Sequence, residues 1–220
     1  MAIELTKEQI QKIEDFLDLK GFHYIDLRFE ILDHMISDIE ERMRNNVSYE
    51  SALAMTKIRW EKHLRKKNSF YFGIQNYDFS IVLNKAIKLF RPFFFLYMSL
   101  YIIPMVTLNY FKLVIPEEIV TMSNQILQIL AVFATLYIVW TAVKLSRKQL
   151  KTTYSFIMKT QNWPAVILIL ISSFFGGIIE TSGELNPGFT GFYAAGMTAA
   201  ISVHYFFGKH RKSLDKLKYF

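Results

Sequence analysis

The sequence predicts an all-α integral membrane protein, in which a cytosolic three-helix module precedes a bundle of four transmembrane helices. The first observation is the distribution of charge, because thirteen of the nineteen carboxylates precede residue 70. The second is that the remainder contains four apolar runs, each close to the ~20 residues that a helix needs to cross a bilayer core. The third is the helical spacing of apolar residues in the early segment. We therefore expect the first 70 residues to lie in water and most of the remainder to lie in the lipid bilayer.

Composition narrows the classes of protein that this chain can belong to. The net charge is +7, but the excess of bases lies beside the apolar runs, which favours membrane flanks over a nucleic-acid surface. The absence of cysteine excludes disulfides, thiolate metal sites and a cysteine nucleophile, and it suits exposure to the cytoplasm. The first residues have neither a basic nor an apolar signal region, so we expect no cleaved signal peptide.

Residues 1–70 are predicted to form the three-helix module. Thr6 and Gln9 have the spacing of a capping box, and Gly21 suits a left-handed stop, so the first helix is expected at about 7–20. The second is expected at about 23–44, and Ser48 caps a third that runs to about 67. The second helix is predicted to have a broad apolar face, in which Leu27, Ile31 and Met35 flank a central series. The central series is Ile25, Phe29, Leu32, Ile36, Ile39 and Met43. On the third helix, Leu53, Thr56, Trp60 and Leu64 are expected to help cover it.

The second helix is also the candidate partner-binding surface, because residues 4–41 contain eleven acids against four bases. These charges suit either a solvated face or a docking surface, and isolated surface pairs contribute little stability. A stripe of acids and one histidine could also approach a metal, but one helix offers only a line of ligands. We therefore predict no metal, cofactor or catalytic residue. The predicted partner-binding residues are Asp26, Glu30, Asp33, His34, Asp38 and Glu41.

The segment from Tyr24 to Glu40, followed by Ser48-Tyr-Glu-Ser-Ala52, resembles the N-terminal helical segment called HAAS in some bacterial membrane proteins. Those segments have an acidic helix with a Glu…Asp/Glu-His…Glu core, a short turn and a Ser-x-Glu-x-Ala helix start. The resemblance implies a cytosolic, regulatory segment placed before transmembrane helices, often encoded near a helix-turn-helix repressor or a transport system. It names no ligand.

The rest of the chain is predicted to lie at or in the membrane. Residues 71–91 combine aromatic side chains with one basic helix face, which predicts an interfacial linker helix. A basic cytosolic tail is expected at 209–220. The four predicted spans within residues 92–208 are 92–111, 119–143, 163–179 and 188–207.

Bases in the short connections predict the orientation of these spans. They follow the second and fourth spans, whereas the loop after the first holds one base and the loop after the third holds none. By the positive-inside rule, the N-terminus, the middle loop and the C-terminus are expected in the cytoplasm of a bacterial cell, with the spans in its inner membrane.

Small residues predict which spans touch. They recur at helical spacing on the third and fourth spans, which favours a closely packed hairpin of these two, although the same stripe would suit a homo-oligomer. The short turn at 180–187 favours the intramolecular arrangement. The residues that carry this prediction are Ser172, Gly176, Gly191, Ala195 and Ala199.

The function expected from these features is that of a membrane-anchored regulatory or adaptor protein. Its cytosolic acidic module would bind a protein partner, and it would be neither an enzyme nor a nucleic-acid binder. No predicted span has a charge near its middle, which argues against active transport by this chain alone. The alternative is a non-catalytic membrane subunit of a transporter or permease, with Asn124, Gln125 and Gln128 facing a partner or pore.

Overall fold

The computed structural model describes residues 4–147, 150–175 and 177–216, and it is mostly helical. Within these ranges the chain forms seven α-helices and one two-stranded sheet. The helices are α1 Lys7–Leu19, α2 Ile25–Arg44, α3 Tyr49–Glu61, α4 Ser80–Tyr110, α5 Glu117–Arg147, α6 Thr153–Phe174 and α7 Pro187–Lys216, and the strands are β1 Lys66–Ser69 and β2 Gly73–Phe79. The chain divides into two compact units. The first unit comprises the described parts of 1–86, 150–153 and 210–220, and the second comprises those of 87–149 and 154–209.

Local signals set the ends of the first three helices. The hydroxyl of Thr6 accepts from the Gln9 amide at 3.3 Å, and the Gln9 side chain accepts from the Thr6 amide at 2.9 Å. This capping box confirms the predicted start of α1, and Gly21 follows its end with a φ of 69°. The Ser48 hydroxyl caps α3 by accepting from the Ser51 amide at 3.4 Å.

The buried face of α2 lies on one side of the predicted broad apolar face. Leu27, Ile31, Met35 and Ile39 are buried at a spacing of four, so the core is formed by the predicted flanking residues together with Ile39 of the central series. Phe29, which the prediction placed inside, is 50% exposed. The helix carries two overlapping apolar series, and α1 and α3 pack on the one that begins at Leu27. The residues of α1 and α3 that are buried are Ile13, Leu17, Tyr49, Ala52, Leu53 and Thr56.

A β-hairpin replaces the beginning of the predicted linker helix. β1 pairs antiparallel with β2, and a 3-10 turn at Phe70–Phe72 joins them. Helix α3 therefore ends at Glu61 rather than near residue 67, and the next helix begins at Ser80 rather than residue 71. The pairing of Lys66 with Phe79 is a contact across the hairpin, which helical periodicity does not report.

Aromatic side chains hold the base of this hairpin to the turn between α1 and α2. The Phe79 ring lies 5.1 Å from the Phe22 ring, and the Tyr24 hydroxyl donates a hydrogen bond to the Asp78 carboxylate. Burial, together with the negative charges of Asp78 and Asp26, raises the pKa of Tyr24. The phenol is therefore neutral at neutral pH and acts as the hydrogen-bond donor.

The first unit also includes segments far beyond residue 70. The Asp26 carboxylate accepts from the Thr153 amide at 2.9 Å, and Lys85 Nζ lies 3.2 Å from its other oxygen. The Ile25 amide donates to the Lys151 carbonyl at 3.0 Å. These contacts join the start of α2 to the start of α4 and to the segment before α6, so the compact unit is larger than the predicted module.

Two helices of the described chain are long and apolar enough to cross a membrane, judged by length and composition, and these are α4 and α5. Protein buries 6% of the residues in the most apolar stretch of α4 and 17% in that of α5. The second and fourth predicted spans lie inside α5 and α7, and the first ends one residue beyond α4. Helix α6, which was to hold the third span at 163–179, starts ten residues earlier than predicted and ends at Phe174, five residues earlier. A span that began at residue 163 would have placed Pro164 in its first turn, whereas Pro164 lies inside α6.

The core of the second unit joins α5, α6 and α7. Ser172, Ala195 and Ala199 are buried, as expected of a close helix contact, whereas Gly176 lies outside the described residues. A Cβ on Gly196 would lie 2.7 Å from Ile169 Cγ1, so this glycine allows α6 and α7 to approach. Gly191 faces α4 instead of α6. The buried cluster consists of Ala131, Ile138, Ala165, Val166, Ile169, Ala199 and Ala200.

Gly191→Ala is expected to destabilise the second unit. The added Cβ would lie 2.7 Å from the Tyr101 carbonyl oxygen, so two helix backbones must separate, and overpacking of this kind costs about 1–3 kcal/mol. Thermal unfolding of the purified full-length protein in detergent measures the effect. Gly208→Ala on the same helix is the control, because a Cβ there meets no atom within 4 Å. Equal stability of the two variants would contradict the close approach.

Candidate functional site

A polar groove opens between α2 and α3 in the first unit. Its volume is about 290 Å³. Helix α2 contributes one wall. The last turn of α3, together with His63 just after it, contributes the other. The lining side chains are His34, Ser37, Asp38, Glu41, Arg59, Trp60 and His63.

Asp38 forms the base of the groove and is held in place by three side chains. Its Oδ1 lies 2.7 Å from Arg59 Nη1 and 3.5 Å from Arg42 Nη2, and its Oδ2 accepts from the Thr56 hydroxyl at 2.9 Å. The Asp38 side chain is 10% exposed, so these partners satisfy a carboxylate that has lost most of its water. The pair of Asp38 and Arg59 therefore links α2 to α3 and defines the shape of the groove.

The structure separates the predicted partner-binding residues into three groups. His34, Asp38 and Glu41 line the groove, and His34 and Glu41 are exposed at its surface. Glu30 and Asp33 are exposed on α2 but do not line it. The Asp26 side chain is 6% exposed and is paired with Lys85, so it is part of the packing of the unit and is not available at the surface.

The α3 side of the groove contains residues that the sequence did not indicate as a site. Trp60 was expected to cover α2, but it is half-buried and lines the groove beside His63. The ring centroids of Trp60 and His63 are 5.4 Å apart. Their spacing of three is the sequence signal that places them together, since the chain still turns after the end of α3 and the His63 amide donates to the Trp60 carbonyl at 3.0 Å.

The electrostatics of the groove differ between its two walls. Partial burial and the neighbouring cations Lys62, Arg59 and Lys67 lower the pKa of His63. His63 is therefore neutral at neutral pH and offers one donor and one acceptor. Arg59 is paired with Asp38, whereas the exposed Glu41 forms no ion pair within the described residues. The groove thus combines a carboxylate with an aromatic face.

This combination suits recognition of a basic side chain. A carboxylate attracts a guanidinium or ammonium group, and the face of a tryptophan stabilises a cation above it. Within the described residues, no group of three or more His, Asp or Glu side chains is arranged to hold a metal ion. Comparison with protein-family models, with curated proteins and with solved structures finds no match to this chain.

Proposed function

We propose that this chain is a membrane-anchored regulatory or adaptor protein that binds a protein partner through the groove between α2 and α3. The observation that supports this most directly is that His34, Asp38 and Glu41, three residues of the acidic helix, meet Trp60 of another helix in one groove. Acidic residues on a solvated helix face would not need an aromatic side chain from a second helix beside them.

The partner segment that best fits the groove is basic. Glu30 and Asp33 extend the negative charge of Glu41 along the exposed face of α2, which would attract a basic segment over several residues. An arginine of that segment would place its guanidinium between Glu41 and the Trp60 ring. The HAAS-like sequence of α2, with the regulatory role that this resemblance implies, agrees with a contact made on the cytosolic side.

The membrane anchor in this proposal is a bundle of four spans in the bacterial inner membrane, with both termini in the cytoplasm. The support for two of these spans is the length and apolar composition of α4 and α5. The support for the other two, in α6 and α7, is their packing with α5 in one buried cluster and the bases that follow α5 and end α7.

The alternative, a non-catalytic membrane subunit of a transporter or permease, would use Asn124, Gln125 and Gln128 to face a partner or pore. Asn124 exchanges hydrogen bonds with the Ile179 backbone at 2.8 and 3.2 Å, and Gln128 donates to the Ser173 carbonyl at 3.0 Å. Two of the three polar residues therefore satisfy backbone groups inside the second unit, and Gln125 is the exposed one.

Trp60→Ala in the full-length protein is expected to weaken partner capture by about thirtyfold, since loss of a central aromatic contact typically costs about 2 kcal/mol of binding free energy. Glu41→Lys is expected to abolish it by charge reversal. The measurement is affinity capture from gentle detergent, with a photo-crosslinking residue at Ser37 in the groove to identify the bound protein.

The controls lie on the same helices and outside the groove. Ile58 is 72% exposed on α3, so Ile58→Ala matches Trp60→Ala as the loss of a large side chain. Glu50→Lys reverses an exposed charge on α3 that neither lines the groove nor belongs to the acidic face of α2. A captured protein that does not crosslink from Ser37 and is retained equally by the Trp60→Ala and Ile58→Ala variants would show that the groove is not the binding site.

A further inference from the structure

A second cavity, of about 420 Å³, opens between α5 and α6 within the second unit. Its size falls in the range of about 300 to 1,000 Å³ that is typical of small-molecule sites. Most of its wall is apolar, and polar side chains gather on one part of it. The apolar residues that matter here are Ile138, Val139, Ala142, Val143 and Val166, and the polar ones are Ser146, Lys159 and Asn162.

The polar part lies toward the segment that connects the two helices. Gln128 bonds to Ser173 at 3.0 Å and Ile138 shares a buried cluster with Val166, so α5 and α6 run antiparallel. Ser146 is next to the last residue of α5, and Lys159 is two turns into α6. The cavity therefore changes from apolar to polar along α5 in the direction of its basic end, where a cytoplasmic membrane surface is expected by the positive-inside rule.

Asn162 gives the strongest indication that a ligand occupies this cavity. The residue is 4% exposed and lines the cavity, and its Oδ1 has no hydrogen-bond partner in the part of the chain that the structure describes. A buried carbonyl oxygen without a donor costs free energy, and native proteins usually satisfy such groups. Lys159, which also lines the cavity, has only N–H donors, so a ligand there must supply the acceptors.

A ligand that satisfies all three features is an anionic amphiphile with its own hydrogen-bond donor. The aliphatic wall suits a hydrocarbon chain, Lys159 suits a phosphate, and Asn162 Oδ1 requires a hydroxyl or N–H group. We propose that the cavity between α5 and α6 binds a glycerophospholipid whose headgroup has a negative charge and a free hydroxyl, such as phosphatidylglycerol. This inference uses the membrane location of α5 but is independent of the groove between α2 and α3.

The test uses delipidated full-length protein in mild detergent, with native mass spectrometry and thermal unfolding as readouts. Phosphatidylglycerol should bind and raise the unfolding temperature. Phosphatidylcholine, which has the phosphate but neither net charge nor a donor, should bind at least about tenfold more weakly, as expected for loss of one charge-assisted contact. Free glycerol phosphate should give no shift, because it lacks the hydrocarbon chain.

Variants of the cavity test the named residues. Lys159→Gln and Asn162→Leu should each weaken phosphatidylglycerol binding by about tenfold. Lys144→Gln is the matched control, since Lys144 is an exposed base near the end of α5 that does not line the cavity. Ala142→Phe should abolish binding by filling the cavity, and it replaces Asn162→Leu as the decisive variant if that one does not fold.

Several results would overturn the proposal. Equal binding of phosphatidylcholine and phosphatidylglycerol would mean that the headgroup is not recognised. A thermal shift of the same size with glycerol phosphate would identify a phosphate site instead of a lipid site. Wild-type affinity in both Lys159→Gln and Ala142→Phe would place any bound lipid elsewhere on the protein.

Discussion

Asp26→Ala should lower the free energy of unfolding of the first unit by about 3–5 kcal/mol, the cost of breaking a buried ion pair by removing one partner. The Asp26 carboxylate is 6% exposed, and it binds both Lys85 and the Thr153 amide. Its removal leaves a partly buried ammonium group and a backbone donor unpaired. Since these two partners belong to distant segments, the start of α2 should lose its attachment to both.

Hydrogen exchange of the α2 amides in the full-length protein measures this effect. Faster exchange throughout α2 is expected for Asp26→Ala, and the difference in exchange rate gives the free energy of local opening. Glu30→Ala is the control, because Glu30 is exposed on the same helix and surface changes usually stay within about 0.5 kcal/mol. If both variants exchange alike, the Asp26 contacts contribute nothing to the stability of the unit.

Phe22→Ala should be comparably damaging, with a loss of about 3–5 kcal/mol. The Phe22 side chain is fully buried, and its ring lies 5.9 Å from the Tyr24 ring and 5.1 Å from the Phe79 ring. Because Phe22 lies between α1 and α2 and Phe79 ends β2, the resulting cavity would loosen the helical module and the hairpin together.

Hydrogen exchange of the α1 and α2 amides in the full-length protein measures the loss for Phe22→Ala and separates the effect of this cavity from a general effect of changing the turn. Leu19→Ala removes a large apolar side chain three residues earlier, but Leu19 is 88% exposed, so stability should change little. Phe22→Leu should have an intermediate effect because part of the volume is kept. A loss for Leu19→Ala as large as that for Phe22→Ala would show that the turn, not the aromatic contact, limits stability.

Sequence reasoning was most accurate where the determinant is local. The capping box at Thr6 and the cap at Ser48 involve residues three apart, so the starts of α1 and α3 could be predicted. On α2, the broad apolar face could be predicted but its buried centre could not, because two apolar series overlap on it and the choice depends on where α1 and α3 pack. The β-hairpin was missed for a similar reason, because Lys66 pairs with Phe79 across the hairpin and local periodicity does not report such a pairing.

The candidate site, too, could be predicted only where its residues are close in sequence. Acidic side chains repeat along α2, so His34, Asp38 and Glu41 were identified from their spacing. Trp60 and His63 lie on another segment, and only the packing of α3 against α2 brings them to the same groove. Asp26 appeared to belong to the acidic face, but its role depends on Lys85 and Thr153, which no local pattern connects to it.

The discontinuous composition of the first unit has a consequence for protein synthesis. A ribosome completes α1, α2 and α3 long before it adds Thr152 and Thr153, and His210, whose Nδ1 lies 2.9 Å from the Thr152 hydroxyl, is added later still. The Asp26 contact with Thr153 therefore cannot form until the intervening apolar helices have left the exit tunnel. Nascent chains halted before residue 150 should remain more sensitive to protease in α2 than chains released at full length, because the first unit is completed only after most of the second unit has been synthesised.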